Sequence, residues 1–176
     1  SSGYYEFTNV QAGSYTVTPQ KVGYVFSPQS NAYGSLNSDQ NGRDFAGYLL
    51  PVVASVTPSS GINNKSNTIA VNGAGFFGAT ASANVLSVKL DDPSATALTS
   101  VSVANDTSLT AVVPAGVLPG TYNVKVTTSL GVNAASGQKY VLSGAPPTVA
   151  SVAPSSGFNN VSTTVTVKGT SFFGGT

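Results

Sequence analysis

Apolar residues alternate with polar or small residues in short runs through the middle of the chain. The clearest alternation covers residues 122–127. Its apolar positions, which a strand would turn to one face, are Tyr122, Val124 and Val126. Its polar positions, expected on the opposite face, are Asn123, Lys125 and Thr127. A period of two residues is typical of a half-buried β-strand and differs from the period of a helix.

Similar alternation recurs in other short runs of the same region. Its apolar positions are Ile69 and Val71, then Leu86, Val88 and Leu90, then Leu109, Ala111 and Val113. Turn-forming residues separate these runs at positions 58–61, 91–93, 105–106 and 119–120. About seven short strands within some ninety residues predict an all-β fold, an antiparallel β-sandwich of immunoglobulin type.

A long segment of the sequence occurs twice. Residues 51–80 return at residues 147–176, 96 positions later and without a gap, with 19 of 30 positions identical. The identities include Phe76 with Phe172, so two low-complexity segments that resemble each other by chance do not explain the match. We therefore expect a tandem duplication, with one complete domain at residues 51–145 and the N-terminal part of a second at residues 146–176.

Four motifs follow one another along the complete copy: VxSVxPxxG from Val53, IxVxGxxF from Ile69, NDTxL from Asn105 and GxYxVxV from Gly120. In this order they resemble the IPT/TIG domain, an immunoglobulin-like fold shared by plexins and Rel-type transcription factors. The resemblance implies tandem immunoglobulin-like sandwiches.

The glycines and the phenylalanine of these motifs have expected structural roles. We expect Gly73 and Gly75 to allow a tight bend between strand and loop, and Phe76 to close the end of the sandwich. Gly120 is expected to end the turn before the Tyr122 strand.

Residues 1–50 have a different composition, with six of the eight tyrosines of the chain. The series GxYxFxxVxxGxYxV, which starts at Gly3, resembles the C-terminal part of the carboxypeptidase regulatory-like, or transthyretin-like, β-sandwich. On this resemblance residues 1–50 form a partial domain whose N-terminal strands would precede Ser1. Phe7, Tyr15 and Phe26 are expected in its core.

A glycan-binding platform is the alternative interpretation of the aromatic residues in this segment, because tyrosine rings stack on sugar faces. The tyrosines considered for it are Tyr4, Tyr5, Tyr24, Tyr33 and Tyr48. The chain has no tryptophan, which argues against this alternative.

Composition excludes several classes of chemistry. The chain has no Cys and no His, so it has no thiolate nucleophile, Cys-ligated metal or imidazole base. The six acidic residues lie mostly in predicted turns and form no recognisable catalytic pair. We predict that the protein is not an enzyme.

Charge and hydropathy bear on the partners. A net charge of +1 without a basic run does not favour nucleic acid, although transcription factors of the same fold bind DNA. The longest apolar run, residues 49–54, is too short for membrane insertion and contains a proline.

Acidic residues suggest two candidate cation sites. Asp39, Asn41 and Asp44 place oxygen ligands at near-alternating positions around Gly42, as Ca²⁺ would require. The interpretation we favour is an Asx-rich turn, and apart from this Ca²⁺ alternative no cofactor is expected. The adjacent pair Asp91 and Asp92 is expected to form a solvated turn, with the two side chains pointing to opposite sides.

The sequence favours a non-catalytic spacer, stalk or adhesive scaffold of a large secreted or cell-surface bacterial protein. One alternative is a subunit of an extracellular filament or sheath in which chains complete each other's sheets with β-strands. Another is a carbohydrate-binding accessory module of a secreted polysaccharide-degrading enzyme. The expected partners are neighbouring domains or identical subunits, with glycans as the alternative, and the expected location is extracellular.

Overall fold

The computed structural model describes residues 3–80, 82–134 and 137–172. Within these ranges the protein is all-β, with fifteen strands and no helix, as predicted. It follows that none of the described residues belongs to a helix that could cross a membrane. The chain divides into two compact units, Ser1–Leu50 and Pro51–Thr176.

The first unit consists of two antiparallel ribbons. Its strands are β1 (Gly13–Val17), β2 (Tyr24–Ser27), β3 (Asn31–Leu36) and β4 (Ala46–Leu49). Strand β1 pairs with β3, and β2 pairs with β4. The prediction that Phe7 and Tyr15 lie in a core is wrong, because both are exposed, and Phe26 is only half-buried. Each ribbon has only two strands, which cannot enclose side chains of this size.

The second unit begins with a nine-stranded domain. Its strands are β5 (Val52–Thr57), β6 (Ser60–Ile62), β7 (Asn67–Ala74), β8 (Val85–Leu90), β9 (Thr99–Asn105), β10 (Ser108–Val113), β11 (Gly120–Thr128), β12 (Gly131–Val132) and β13 (Lys139–Ser143). One sheet has the order β5-β7-β10-β9. In the other sheet β11 pairs with β8, β12 and β13, and β13 also pairs with β6. This order is that of an immunoglobulin constant-type sandwich.

The core of the domain lies between these two sheets. The first sheet contributes Val53, Val56, Ile69, Val71, Leu109, Ala111 and Val113. The second contributes Val88, Leu90, Tyr122, Val124, Val126, Tyr140 and Leu142. The predicted alternation in β7, β10 and β11 therefore places the apolar residues inside. Phe76, in the loop after β7, is completely buried against the same cluster.

Two positions depart from simple alternation. Leu86 was expected inside but is exposed, because the pairing of β8 with β11 shifts between Thr127 and Thr128. Leu86 is the extra residue of this bulge, because Thr127 lies opposite Ser87 and Thr128 opposite Val85, and an extra residue interrupts the alternation of the strand. Asn123 was expected on the solvent side but is buried.

The second copy of the repeated sequence forms an antiparallel hairpin of β14 (Thr148–Ala153) and β15 (Thr166–Thr170). Its register is that of β5 and β7 displaced by 96 residues: Val149 lies opposite Gly169 as Val53 lies opposite Gly73. The irregularity that follows Val53 also follows Val149. The repeated sequence therefore adopts the same strand pairing twice.

Gly73 and Gly169 show why this register needs glycine. A Cβ atom on Gly73 would lie 1.7 Å from the carbonyl oxygen of Val52, and one on Gly169 would lie 1.8 Å from that of Thr148. The expected role of Gly73, a bend into the loop, is therefore replaced by close approach of two strands. Gly75 has a φ of 76°, which agrees with the bend expected there.

Candidate functional site

The candidate cation ligands lie in the connection between β3 and β4. Asp39, Asn41 and Asp44 are exposed, and Gly42 has a φ of 64°. In the same connection the Arg43 guanidinium donates a hydrogen bond to the Gln40 side chain at 3.2 Å. Within the described ranges no three acidic side chains come together. The Ca²⁺ site, which also involves the amide of Asn41, stays a prediction.

Tyr5 lies against this connection. Its hydroxyl donates a hydrogen bond to the Arg43 carbonyl, and its ring centroid is 5.8 Å from that of Phe45 and 6.0 Å from that of Phe7. Desolvation raises the pKa of Tyr5, and the neighbouring charges of Tyr33 and Asp44 add to the rise. Tyr5, Phe7 and Phe45 form an aromatic cluster on the surface of the first unit.

The other tyrosines considered for a glycan platform differ in accessibility. Tyr4 is highly exposed, whereas Tyr24, Tyr33 and Tyr48 are half-buried. The Lys21 ammonium lies 3.9 Å from the centre of the Tyr24 ring, in a cation–π contact. That contact occupies a ring face on which a sugar would otherwise stack, so Tyr4 and the aromatic cluster have the more accessible rings.

Asp91 and Asp92 follow β8 and have separate partners. The Asp92 carboxylate accepts hydrogen bonds from the backbone N–H of Thr96 at 2.5 Å and from its hydroxyl at 2.7 Å. Asp91 accepts hydrogen bonds from the backbone and side chain of Asn123. The two carboxylates therefore diverge as expected, but Asp92 is buried, so the expectation of a fully solvated turn is wrong there.

The pKa values of Asp91 and Asp92 both lie below the usual range of an aspartate side chain. Desolvation alone would raise the pKa of Asp91, but the hydrogen bonds from Asn123, aided by Lys125 and Lys139, outweigh it. Desolvation likewise opposes the hydrogen bonds of Thr96 at Asp92, and the net effect lowers the pKa of that carboxyl. Ionised carboxylates here stabilise the fold.

Asn123 is buried because its side chain forms hydrogen bonds that link three strands. It lies on β11, donates to Asp91 at the end of β8, and accepts a hydrogen bond from the Lys139 ammonium on β13 at 2.6 Å. The alternating pattern could not identify this role, because the partners are distant in sequence.

The NDT motif holds the loop that carries Phe76. The Asp106 carboxylate accepts hydrogen bonds from the backbone N–H of Phe77 at 2.8 Å and of Gly75 at 3.3 Å. The Asn105 side chain accepts from both the backbone N–H and the hydroxyl of Thr107 at 2.9 Å, which forms an Asx turn. The motif therefore connects the turn before β10 to the loop that closes the core.

The GxY motif forms a tyrosine corner, a feature of immunoglobulin-like sandwiches. The Tyr122 hydroxyl donates a hydrogen bond to the Leu118 carbonyl at 2.9 Å. A Cβ atom on Gly120 would lie 2.4 Å from the Tyr122 hydroxyl oxygen, so Gly120 makes room for the ring. This requirement adds to the turn-ending role expected from the sequence.

Asn133 is a buried polar residue that the sequence did not single out. Its side-chain oxygen accepts a hydrogen bond from the Val126 N–H at 2.6 Å, and its amide donates to the Val124 carbonyl at 3.2 Å. It thus satisfies the backbone of β11 between its pairings with β12 and β13.

A comparison with known protein families agrees with the family that the sequence motifs resemble. The sequence model of the IPT/TIG domain matches residues 51–141. This match covers more than half of the chain, so the protein belongs to the IPT/TIG family. No curated protein matches the chain.

Several solved structures are similar to parts of the chain. The gamma-CGTase from alkalophilic Bacillus clarkii shares 18% identity and a TM-score of 0.42, covering 77% of this chain and 22% of that one. SGBP-B of the mixed-linkage glucan utilization locus of Bacteroides ovatus, in complex with a mixed-linkage heptasaccharide, shares 15% identity and a TM-score of 0.36, covering 81% of this chain and 32% of that one. An auxiliary nutrient binding protein from Bacteroides ovatus shares 22% identity and a TM-score of 0.35, covering 53% and 21%. The chain thus spans a third or less of the length of these proteins.

Proposed function

We propose that the protein is a non-catalytic spacer module of an extracellular bacterial protein and that its IPT/TIG domain resists tension applied along the chain. On this proposal residues 146–176 begin a second such domain, and residues 1–50 belong to a preceding transthyretin-like one. The many serine and threonine residues support a polar, solvated surface although only 7% of the residues are charged.

The observation that carries this proposal is the parallel pairing of β6 with β13. Ser60 lies opposite Val141 and Ile62 opposite Ser143, and the N–H of Asn63 donates to the Ser143 carbonyl at 2.9 Å. In a parallel pair the chain enters at one end and leaves at the other. Tension between the two ends of the domain therefore loads these hydrogen bonds together in shear, rather than breaking them one after another.

Short connections support the transmission of force into the domain. Two residues, Leu50 and Pro51, separate β4 from β5, and four residues separate β13 from β14. Proline fixes φ and so reduces the freedom of the chain at each connection, at Pro51 and again at Pro146 and Pro147.

Single-molecule force spectroscopy tests the proposal. The chain has no native cysteine, so Gly3→Cys and Ala145→Cys provide unique attachment points. We expect one force peak for the domain, followed by a gain in contour length of about 30 nm for residues 52–143. Gradual extension of the domain without a peak would contradict the proposal.

A matched pair of variants at Asn63 tests whether the β6–β13 bonds set the force. Asn63→Pro removes the backbone N–H that donates a hydrogen bond to the Ser143 carbonyl, whereas Asn63→Ala keeps this N–H. We expect a lower peak force for Asn63→Pro and an unchanged peak for Asn63→Ala. Equal forces for the two variants would mean that another contact resists the tension.

Glycan binding is the second candidate function, and the exposed aromatic cluster of the first unit favours it. Tyr4 is the most exposed tyrosine, and Tyr5 and Phe7 lie beside it in sequence. The double substitution Tyr4→Ala/Tyr5→Ala should abolish any binding detected on a glycan array, with Tyr122→Phe in the other unit as the control. Absence of binding by the native chain would remove this candidate and leave the spacer proposal standing.

A further inference from the structure

The dipeptide Asn-Gly occurs twice in the chain, as Asn41-Gly42 and as Asn72-Gly73. In such a dipeptide the backbone nitrogen of the glycine can attack the side-chain amide carbon of the asparagine, because the glycine has no Cβ atom to hinder the approach. The attack requires a backbone that is free to turn toward the side chain. The two sites therefore compare one chemistry in two backbone settings.

The backbone at Asn72-Gly73 is fixed in the sheet. Both residues lie in β7, and the N–H of Gly73 donates a hydrogen bond to the Thr107 carbonyl at 2.8 Å. The side-chain amide of Asn72 donates to the Ser55 hydroxyl at 3.3 Å. The attacking nitrogen is thus engaged, and the strand cannot turn without breaking its pairing with β5 and β10.

The backbone at Asn41-Gly42 lacks these restraints. The pair lies in the connection between β3 and β4, outside any strand, and Gly42 has a φ of 64°. Within the described ranges, neither the Asn41 side chain nor the Gly42 N–H forms a hydrogen bond. A Cβ atom at Gly42 would meet no atom within 4 Å. Asn41 and Asn72 are both exposed, so the difference between them lies in the backbone and not in access of water.

We propose that Asn41 is a site of spontaneous deamidation and that folding of the domain protects Asn72 from the same reaction. The Gly42 nitrogen forms a bond to the side-chain amide carbon of Asn41, and the bond from that carbon to the amide nitrogen breaks. Ammonia leaves with the proton of the Gly42 N–H, and a cyclic imide remains. Water then opens the imide at either carbonyl carbon and gives aspartate or isoaspartate. The reaction needs no other reactant, and the site is independent of the spacer proposal.

Either product changes the charge of the connection. The new carboxylate brings the formal net charge of the chain from +1 to zero at pH 7, and it lies between Asp39 and Asp44 in the sequence. In isoaspartate the main chain passes through the former side chain and gains a backbone atom. This change lies close in sequence to Arg43, whose carbonyl accepts the hydrogen bond of the Tyr5 hydroxyl. The modification therefore alters the segment that contacts the aromatic cluster.

Peptide mapping of the 176-residue chain tests the proposal. Trypsin places the two asparagines on separate peptides, residues 22–43 and 66–89. The folded chain is incubated at mildly alkaline pH in heavy-oxygen water and digested in ordinary water, so the label marks deamidation during the incubation. Electron-transfer dissociation assigns the site and distinguishes aspartate from isoaspartate. We expect conversion of Asn41 at least about tenfold faster than that of Asn72, which reacts only from opened states of the domain.

Two variants and an unfolded sample are the controls. Asn41→Gln should abolish labelling at this position, because the longer side chain forms its ring far more slowly. Gly42→Ala should slow the reaction at Asn41 and leave Asn72 unchanged, because a Cβ atom hinders the attack and disfavours the positive φ. In urea the two native sites should react at similar rates, since neither backbone is then fixed.

Four outcomes would overturn the proposal. Equal rates at the two sites of the folded chain would show that strand pairing gives no protection, and faster conversion of Asn72 would contradict the comparison outright. An Asn41 that stays intact in the folded chain but deamidates in urea would show that the connection is held by its surroundings. Label at Asn37 and none at Asn41 would assign the reaction in residues 22–43 to a different asparagine.

Discussion

The two copies of the 30-residue repeat have the same strand pairing and opposite burial. Both place a glycine opposite a valine beside a bulge, and both need that glycine because a backbone carbonyl lies against its Cα. Among the described residues, β10 and the second sheet cover the apolar face of the first copy, and no described strand covers that of the second. The pairing of the hairpin is therefore specified within the repeat, whereas the burial of its apolar face depends on strands outside the repeat.

The largest expected difference concerns the two equivalent phenylalanines. Phe76→Ala should lower the free energy of unfolding of the domain by about 3–5 kcal/mol, because it leaves a cavity in a closed core. Phe172→Ala should change it by less than about 0.5 kcal/mol, because Phe172 is exposed. Urea unfolding followed by tyrosine fluorescence measures both. Equal losses would mean that the hairpin shares the core of the domain.

The two equivalent glycines give the next contrast. Gly73→Ala forces β5 away from β7 and should cost the domain about 1–3 kcal/mol. Gly169→Ala creates the same clash in the hairpin but should leave the main unfolding transition in place. Thermal unfolding by calorimetry compares the two variants, and a similar fall in Tm for both would contradict the distinction between the copies.

Asp106 lies outside the repeat and holds the loop of the first copy. Asp106→Ala leaves the N–H groups of Gly75 and Phe77 without their acceptor and should cost about 2 kcal/mol. Asp39→Ala removes an exposed carboxylate and is the control, with an expected change under about 0.5 kcal/mol. If the two variants lose equal stability in urea, the loop is held by other contacts.

The smallest effect is a pH dependence from Asp91 and Asp92. Their pKa values are lower in the folded protein than in the unfolded chain, so their contribution is complete above the unfolded pKa near 4. It is lost as the pH falls through the lower folded values, and screening by the nearby solvent at this end of β8 limits it to about 1 kcal/mol or less. Urea midpoints between pH 6 and pH 2 should fall less steeply in Asp92→Asn than in Asp39→Asn. Parallel curves would exclude this role for Asp92.

The sequence predicted the features that depend on local periodicity. Alternation located β7, β10 and β11, and the motifs located the loop at Phe76 and the turn before Tyr122. Local periodicity did not predict burial or exposure at positions that depend on contacts with residues distant in the sequence. Asn123 is buried because it forms hydrogen bonds with Asp91 and Lys139, and Leu86 is exposed because of a bulge against β11.

The first unit shows the same limit more strongly. Of its alternating aromatic residues, Tyr15 and Tyr24 lie in strands as predicted, but the stretch with Tyr4, Tyr5 and Phe7 forms none, and the expected core at Phe7 and Tyr15 did not follow. A strand pattern indicates which face is apolar and does not indicate whether another sheet covers it. The candidate Ca²⁺ ligands depend on loop geometry, which periodicity does not constrain at all.

Native-state hydrogen exchange by NMR tests the central claim most directly, because it compares the two copies within one molecule. The amides of Asn67–Ala74 should exchange only through global unfolding of the domain, and those of Thr166–Thr170 should exchange orders of magnitude faster. Equal protection of the two strands would contradict the account, since it would show that the pairing shared by both copies, and not the strands that cover the first, provides the stability.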